Sequence, residues 1–159
     1  MSIRITNRSQ YPAAEVRQLV RRALNDLDIT DVHVQIYHRK GESGHTTGRY
    51  REYWYPRRKE DRPVIQVGLP KVGVPICDYI PYQRKQSPPE FELRDWREAL
   101  LAIVAHEGMH HRQTPRNYYR STREVARTGS QGRARYVEHE CDWAAYRAVK
   151  RWRDENGDV

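Results

Sequence analysis

Cysteine is scarce in this chain. Cys77 and Cys141 are the only two in 159 residues and form no CxxC pair, which excludes a disulfide scaffold and a four-cysteine zinc module and fits a reducing compartment. Long apolar runs are missing as well. No stretch approaches the roughly 18 residues of a membrane span, and the first twelve residues, MSIRITNRSQYP, hold no apolar core of a secretory leader. The expectation is a soluble, cytoplasmic protein with no membrane association. Repeats and low-complexity tracts are absent too. Mean hydropathy is low, at -1.02, yet the apolar residues that are present recur periodically, as in a folded domain with a polar surface. One ordinary domain, residues 1–159, accounts for the length.

Acidic residues are outnumbered: 29 Lys and Arg face 21 Asp and Glu, a net charge of +8. That balance favours anionic partners, and association with DNA through a basic surface is one expectation. The arginines are spread along the chain, however, without a compact basic run or an RNA-binding signature.

Between residues 12 and about 27, Val16, Leu19, Val20, Ala23, Leu24 and Leu27 fall on one helical face, with Pro12 suited to a first turn. Val32, Val34 and Ile36 then alternate with polar residues, as do Ile65, Val67 and Leu69 within 64–69, and both read as strands. A glycine-containing loop, KGESGHTTG, leads to a further strand at 49–55, so the sheet is expected to be mostly antiparallel. Residues 70–90 carry five prolines and read as a long loop with a short strand at 74–80. From about residue 93 the segment LRDWREALLAIVAHEGMHH reads as one helix, apolar all round in its middle and therefore buried. Residues 112–134 are polar and turn-rich, with a short helix near 121–127, and a last helix runs from about 134 to 153.

HEGMH at 106–110 carries the chemistry. On a helix, two histidines four apart lie about 40 degrees from each other on one face and can grip one metal ion, while Glu107 lies close enough to act on water at that ion. A zinc hydrolase needs this arrangement: the ion polarises water and the scissile carbonyl, and a carboxylate moves the proton. In a chain of this composition HExxH arises by chance with a probability of about 2%. Two histidines making ordinary hydrogen bonds is the alternative.

A catalytic zinc takes three protein ligands and keeps a fourth position open. The third candidate lies in VEHECDWAAYRAV. At 100 degrees per residue, Cys141, Asp142, Ala145, Ala148, Val149 and Trp152 share the face of Glu138, and the small and apolar ones suit packing. Glu140 falls near 200 degrees, beside Arg147 and Arg151. A carboxylate on an otherwise apolar face needs a cation, so Glu138 is the expected third ligand. Asp142, one turn on, is placed to hold the second ring N–H of a ligand histidine. A buried salt bridge to arginine is the alternative for this pair, and His139 is the fallback ligand. His111 points elsewhere. Gly108 in mid-helix implies close packing against the ligand helix or the sheet. Tyr118, Tyr119, Arg135 and Tyr136 are the candidate donors to an oxyanion.

HExxH followed downstream by ExxxD resembles the gluzincin type of zincin metallopeptidase, matched here by His106, Glu107, His110, Glu138 and Asp142. The order of elements is similar to that of compact zincins such as SprT-like and ImmA/IrrE-like proteins, and HTTGRYR at 45–51 resembles the TAG-containing strand of SprT-like proteins. SprT-like proteins usually add a third histidine from an HGxxF-type segment, which has no counterpart here. The resemblance implies an α+β zincin-like domain that binds Zn2+ through His106, His110 and Glu138 and hydrolyses a peptide or protein substrate with Glu107 as general base and acid. A DNA-associated protease and a non-catalytic protein with a structural zinc are the rival expectations. A fourth protein ligand such as His139 or Cys77 would mark the latter.

Overall fold

In the computed structural model, residues 3–51, 63–80, 87–113 and 132–157 are described, with side chains from 138 onward in the last stretch. The first periodic segment forms α1 (Ala13–Asp26), which buries Val16, Leu19, Val20, Ala23 and Leu24. Its end follows from backbone geometry. Asp28 takes a left-handed conformation, φ 55. The Ile29 N–H then donates to Leu24 O and the Asp28 N–H to Asn25 O, each at 3.0 Å. This paired closure satisfies the last carbonyls and folds Ile29 back beside Leu24 in the core.

Among the described residues the main sheet has four strands in the order β1-β2-β4-β3: β1 (Arg4–Asn7), β2 (His33–His38), β3 (Thr47–Arg51) and β4 (Val64–Leu69). It is mixed rather than mostly antiparallel, because β1 pairs β2 and β2 pairs β4 in parallel, and only β3 runs antiparallel to β4. The helix between β1 and β2 is the reason. A parallel neighbour requires a crossover, and α1 supplies it. The central β4 buries Val64, Ile65, Val67, Gly68 and Leu69, whereas β3 lies at one edge and is mostly exposed. A second, two-stranded antiparallel sheet joins β5 (Asp78–Ile80) to β6 (Phe91–Leu93).

That pairing takes Leu93 out of the helix expected to begin there, and α2 spans Trp96–Gln113. Asp95 caps its start: Oδ1 accepts the Glu98 N–H at 2.9 Å, while Glu98 Oε1 reaches back to the Arg94 N–H at 2.8 Å. α2 is central, with Leu100, Leu101 and Val104 buried and contacts to α1, β3, β4 and the last helix, α3 (Gly132–Asn156). Gly108 has a different neighbour from the one expected. A Cβ there would stand 3.2 Å from Leu24 Cδ2, 3.2 Å from Leu27 Cδ1 and 3.3 Å from Ile29 Cδ1, so the glycine accommodates the end of α1, not the ligand helix or the sheet. The far end of α3 is fastened by a buried pair. Arg153 Nε donates to Glu98 Oε2 at 2.6 Å and Nη2 to Glu98 Oε1 at 2.7 Å, a two-pronged contact that the planar guanidinium favours. The short helix expected near 121–127 and the expected strand beyond residue 51 lie outside the described residues. No helix among the described residues is long and apolar enough to cross a membrane.

Candidate metal centre

Two helices build the site. α2 carries His106 and His110 one turn apart, their ring centroids 5.1 Å from each other and their planes inclined at 71°. α3 brings Glu138 between them: Oε2 lies 3.2 Å from His106 Nε2, and Oε1 lies 2.9 Å from His110 Nε2. One turn on, Asp142 Oδ1 stands 3.2 Å from His106 Nδ1. Among the described residues, then, the ion-pair partners of Glu138 and Asp142 are histidines, and the buried arginine pair of α3 goes to Glu98 instead.

Cys141 completes the neighbourhood. His106, His110 and Cys141 each offer a ligand atom, and these atoms all lie within 4.8 Å of one another. The cluster could hold a metal ion. The Glu138 contacts are tighter than that limit. Two ligands on a tetrahedral ion with bonds of about 2.0 Å stand roughly 3.3 Å apart, and the 3.2 and 2.9 Å separations at Glu138 come close to it.

Proton arithmetic supports a cation there. Both ring nitrogens of His106 face carboxylate oxygens, whereas a neutral imidazole carries only one N–H. The second contact therefore requires a second proton or a metal. With protons alone, burial pulls the His106 pKa down, but hydrogen bonds to Asp142 and Glu138, helped by the charge of Glu107, outweigh it and push the value up to about 10. Hydrogen bonds from His106 and His110 hold the Glu138 carboxyl well below the usual carboxylate range. Burial, reinforced by the surrounding carboxylates, pushes the Cys141 thiol far up. Without a metal that thiol stays protonated. A Cys ligand must be a thiolate, so Cys141 depends on the ion's charge more than Glu138 does.

Glu107 is buried on the side facing β3. Burial raises its pKa, with the two imidazoles acting in opposition. Gly48 on β3 leaves the space it occupies: a Cβ there would stand 2.9 Å from Glu107 Oε1 and 2.6 Å from Ile103 Cγ2. Between these elements lies a cleft of about 280 Å³, with His106, Glu107, Glu138 and Asp142 on one side and Thr46, Gly48, Asp78 and Tyr79 among the residues opposite. The Glu138 side chain is 43% exposed, so the cluster is open to this cleft rather than sealed in the core.

Several expected residues fall elsewhere. His139 is buried, with Nδ1 2.9 Å from Ser87 Oγ, and is not among the clustered ligand atoms. Its position about 100 degrees round α3 from Glu138 turns it away. Glu140 is half-buried rather than solvated, because it accepts a hydrogen bond of 2.5 Å from Gln113 Nε2 at the end of α2. Cys77 lies in the loop before β5 with its Sγ near His45. His111 meets Tyr50, with the hydroxyl 2.8 Å from Nδ1. Tyr118 and Tyr119, and the side chains of Arg135 and Tyr136, lie outside the described residues. In the sequence Cys141 reads as a packing residue, although its place on the Glu138 face is a signal for the site. Gly48 carried none.

Neither a family model nor a curated protein nor a solved structure matches this chain.

Proposed function

We propose that the chain is a zinc-dependent metallopeptidase of the zincin type. One observation carries the reading: the Glu138 carboxylate bridges the Nε2 atoms of His106 and His110 while Asp142 takes His106 Nδ1. Two imidazoles and a carboxylate are a donor set that suits zinc, and a carboxylate behind a ligand histidine fixes its tautomer. Zinc bound there supplies a Lewis acid for a peptide carbonyl and lowers the pKa of water.

The rest is the work of the chain's own residues. Glu107, lying beside that donor set, accepts a proton from the attacking water and returns it to the leaving amine. Burial raises its pKa, the direction that suits a group that must both take and give a proton. Substrate enters the cleft beside β3, which among the described residues is an edge strand of the main sheet. An extended peptide can add to that edge by backbone hydrogen bonding.

Metal analysis of the purified protein, paired with hydrolysis of a fluorogenic peptide mixture, tests this. About one zinc per chain is expected, with Glu107→Gln retaining the metal and losing at least about a hundredfold in turnover. A protein that takes up no metal on addition refutes the proposal, and so does undiminished turnover in Glu107→Gln.

The cluster that includes Cys141 favours a second reading, in which four protein ligands close the coordination and zinc only clamps α2 to α3. Cys141→Ser separates the two. An open site retains its zinc in this variant, and a closed site loses it.

A further inference from the structure

On the rim of the cleft, outside the metal cluster, the loop before β3 and the start of β5 with the residue before it bring three chemically complementary side chains together. Cys77 Sγ lies 3.9 Å from His45 Nε2, and His45 Nδ1 lies 3.6 Å from Asp78 Oδ1, within ion-pair range. The other Asp78 oxygen is already committed, since Oδ2 accepts the Thr46 N–H at 2.7 Å and the Thr46 hydroxyl. Asp78 is thereby fixed with one oxygen directed at the imidazole. The Cys77 N–H donates to Gly44 O at 3.0 Å. A Cβ at Gly44 would stand 2.3 Å from Pro75 O and 2.8 Å from Cys77 Sγ, so this approach of the two loops requires glycine.

We propose that Cys77, His45 and Asp78 form an activated-thiol site that takes a low-molecular-weight disulfide as a reversible covalent adduct. The order of atoms supports it. A carboxylate beside Nδ1 favours the tautomer with its proton on Nδ1, which leaves the Nε2 lone pair facing the thiol. Cys77 is exposed to such a reagent, whereas Cys141 is buried. His45 Nε2 accepts the thiol proton, and Cys77 Sγ attacks one sulfur of the disulfide. The reagent's S–S bond breaks as the new one forms, and the departing thiolate takes the proton back from His45. Protein thiol and disulfide become mixed disulfide and free thiol, with no further oxidant. The adduct stands beside Thr46 and Asp78, which line the same cleft as His106 and Glu107.

The test uses the full chain with 4,4′-dithiodipyridine as probe near pH 6.5, following thiopyridone release and locating the adduct by peptide mass. Wild type is expected to take one equivalent on Cys77, at a rate about fivefold or more above that of His45→Gln, and to release it to dithiothreitol. Asp78→Asn is expected to fall between the two. As a reference independent of any variant, Cys77 in the folded chain should outpace Cys77 in the urea-unfolded chain by a similar factor. Rates within about twofold of either reference overturn the proposal, as does first reaction at Cys141.

Discussion

Replacing Gly48 by alanine tests the link between β3 and the proposed general base. The added Cβ would meet Ile103 Cγ2 at 2.6 Å, Glu107 Oε1 at 2.9 Å and Glu107 Cγ at 3.3 Å. Glu107 can swing its carboxylate aside. Ile103 cannot follow as cheaply, because a β-branched side chain on a helix has one strongly preferred χ1. Alanine also gains about 0.5–1 kcal/mol over glycine by restricting the unfolded chain, against about 1–3 kcal/mol for overpacking. The net expectation is a loss of about 1 kcal/mol and a melting temperature lower by about 3 °C. Turnover should suffer far more, by about a hundredfold, since a shift of about 1 Å in a reacting group has that effect. Zinc content should not change, because the added methyl group points at Glu107 and not at His106, His110 or Glu138. Calorimetry, metal analysis and peptide hydrolysis on the same preparation separate the three quantities. Full turnover in Gly48→Ala would refute the placement of Glu107 as the working base.

Asp142→Asn should weaken zinc binding about 10- to 100-fold, because the carboxylate behind His106 no longer fixes the ring; competition with a chromophoric chelator measures this. Arg153→Met leaves the Glu98 carboxylate buried without its guanidinium and should destabilise the fold by about 3 kcal/mol, read as a lower urea midpoint. After zinc is stripped by chelation, the raised His106 pKa, about 10, means that the ring carries a proton at pH 7 that the metal must displace. Zinc uptake should therefore release about one proton from His106, and apparent affinity should rise about tenfold per pH unit from pH 7 towards 10. Titration calorimetry in buffers of different ionisation enthalpy counts that proton, and a pH-independent affinity over this range would refute the assignment.

What could be read in the sequence was what depends on local period. Apolar spacing located α1, β2 and β4 because each carries one repeating set of apolar side chains, Ile65, Val67 and Leu69 in β4, although β4 also buries Val64 and Gly68 on its other face. The all-round apolar middle of α2 marked it as central. β1 escaped because its four residues, RITN, have too little alternation to register. It becomes a strand through pairing with β2, and with it the parallel character of the sheet escaped as well. Gly108 was legible as a point of close approach, but its neighbour was not. What it accommodates is the turned-back end of α1, set by the left-handed Asp28.

The same limit governs the site. Spacing alone brings His106 to His110 and Glu138 to Asp142, because each pair lies within one turn of one helix. Periodicity also places Cys141 on the Glu138 face, but it says only that a side chain points inward, not whether it packs or ligates. A thiol serves equally well as a small apolar filler and as a metal ligand. On the proposed reading, the choice between an open and a closed metal site turns on this one atom. Cys141 Sγ lies 3.7 Å from Gln113 Oε1 and can donate a weak hydrogen bond to it, which favours a protonated, non-ligating thiol. A thiolate drawn to the ion would have to abandon that contact. If zinc uptake by wild type brings the ultraviolet absorption of a thiolate–metal bond, absent in Cys141→Ser, the sulfur is a ligand and the catalytic reading falls. If the two titrations superimpose, the ion is held by His106, His110 and Glu138, with a position left for water.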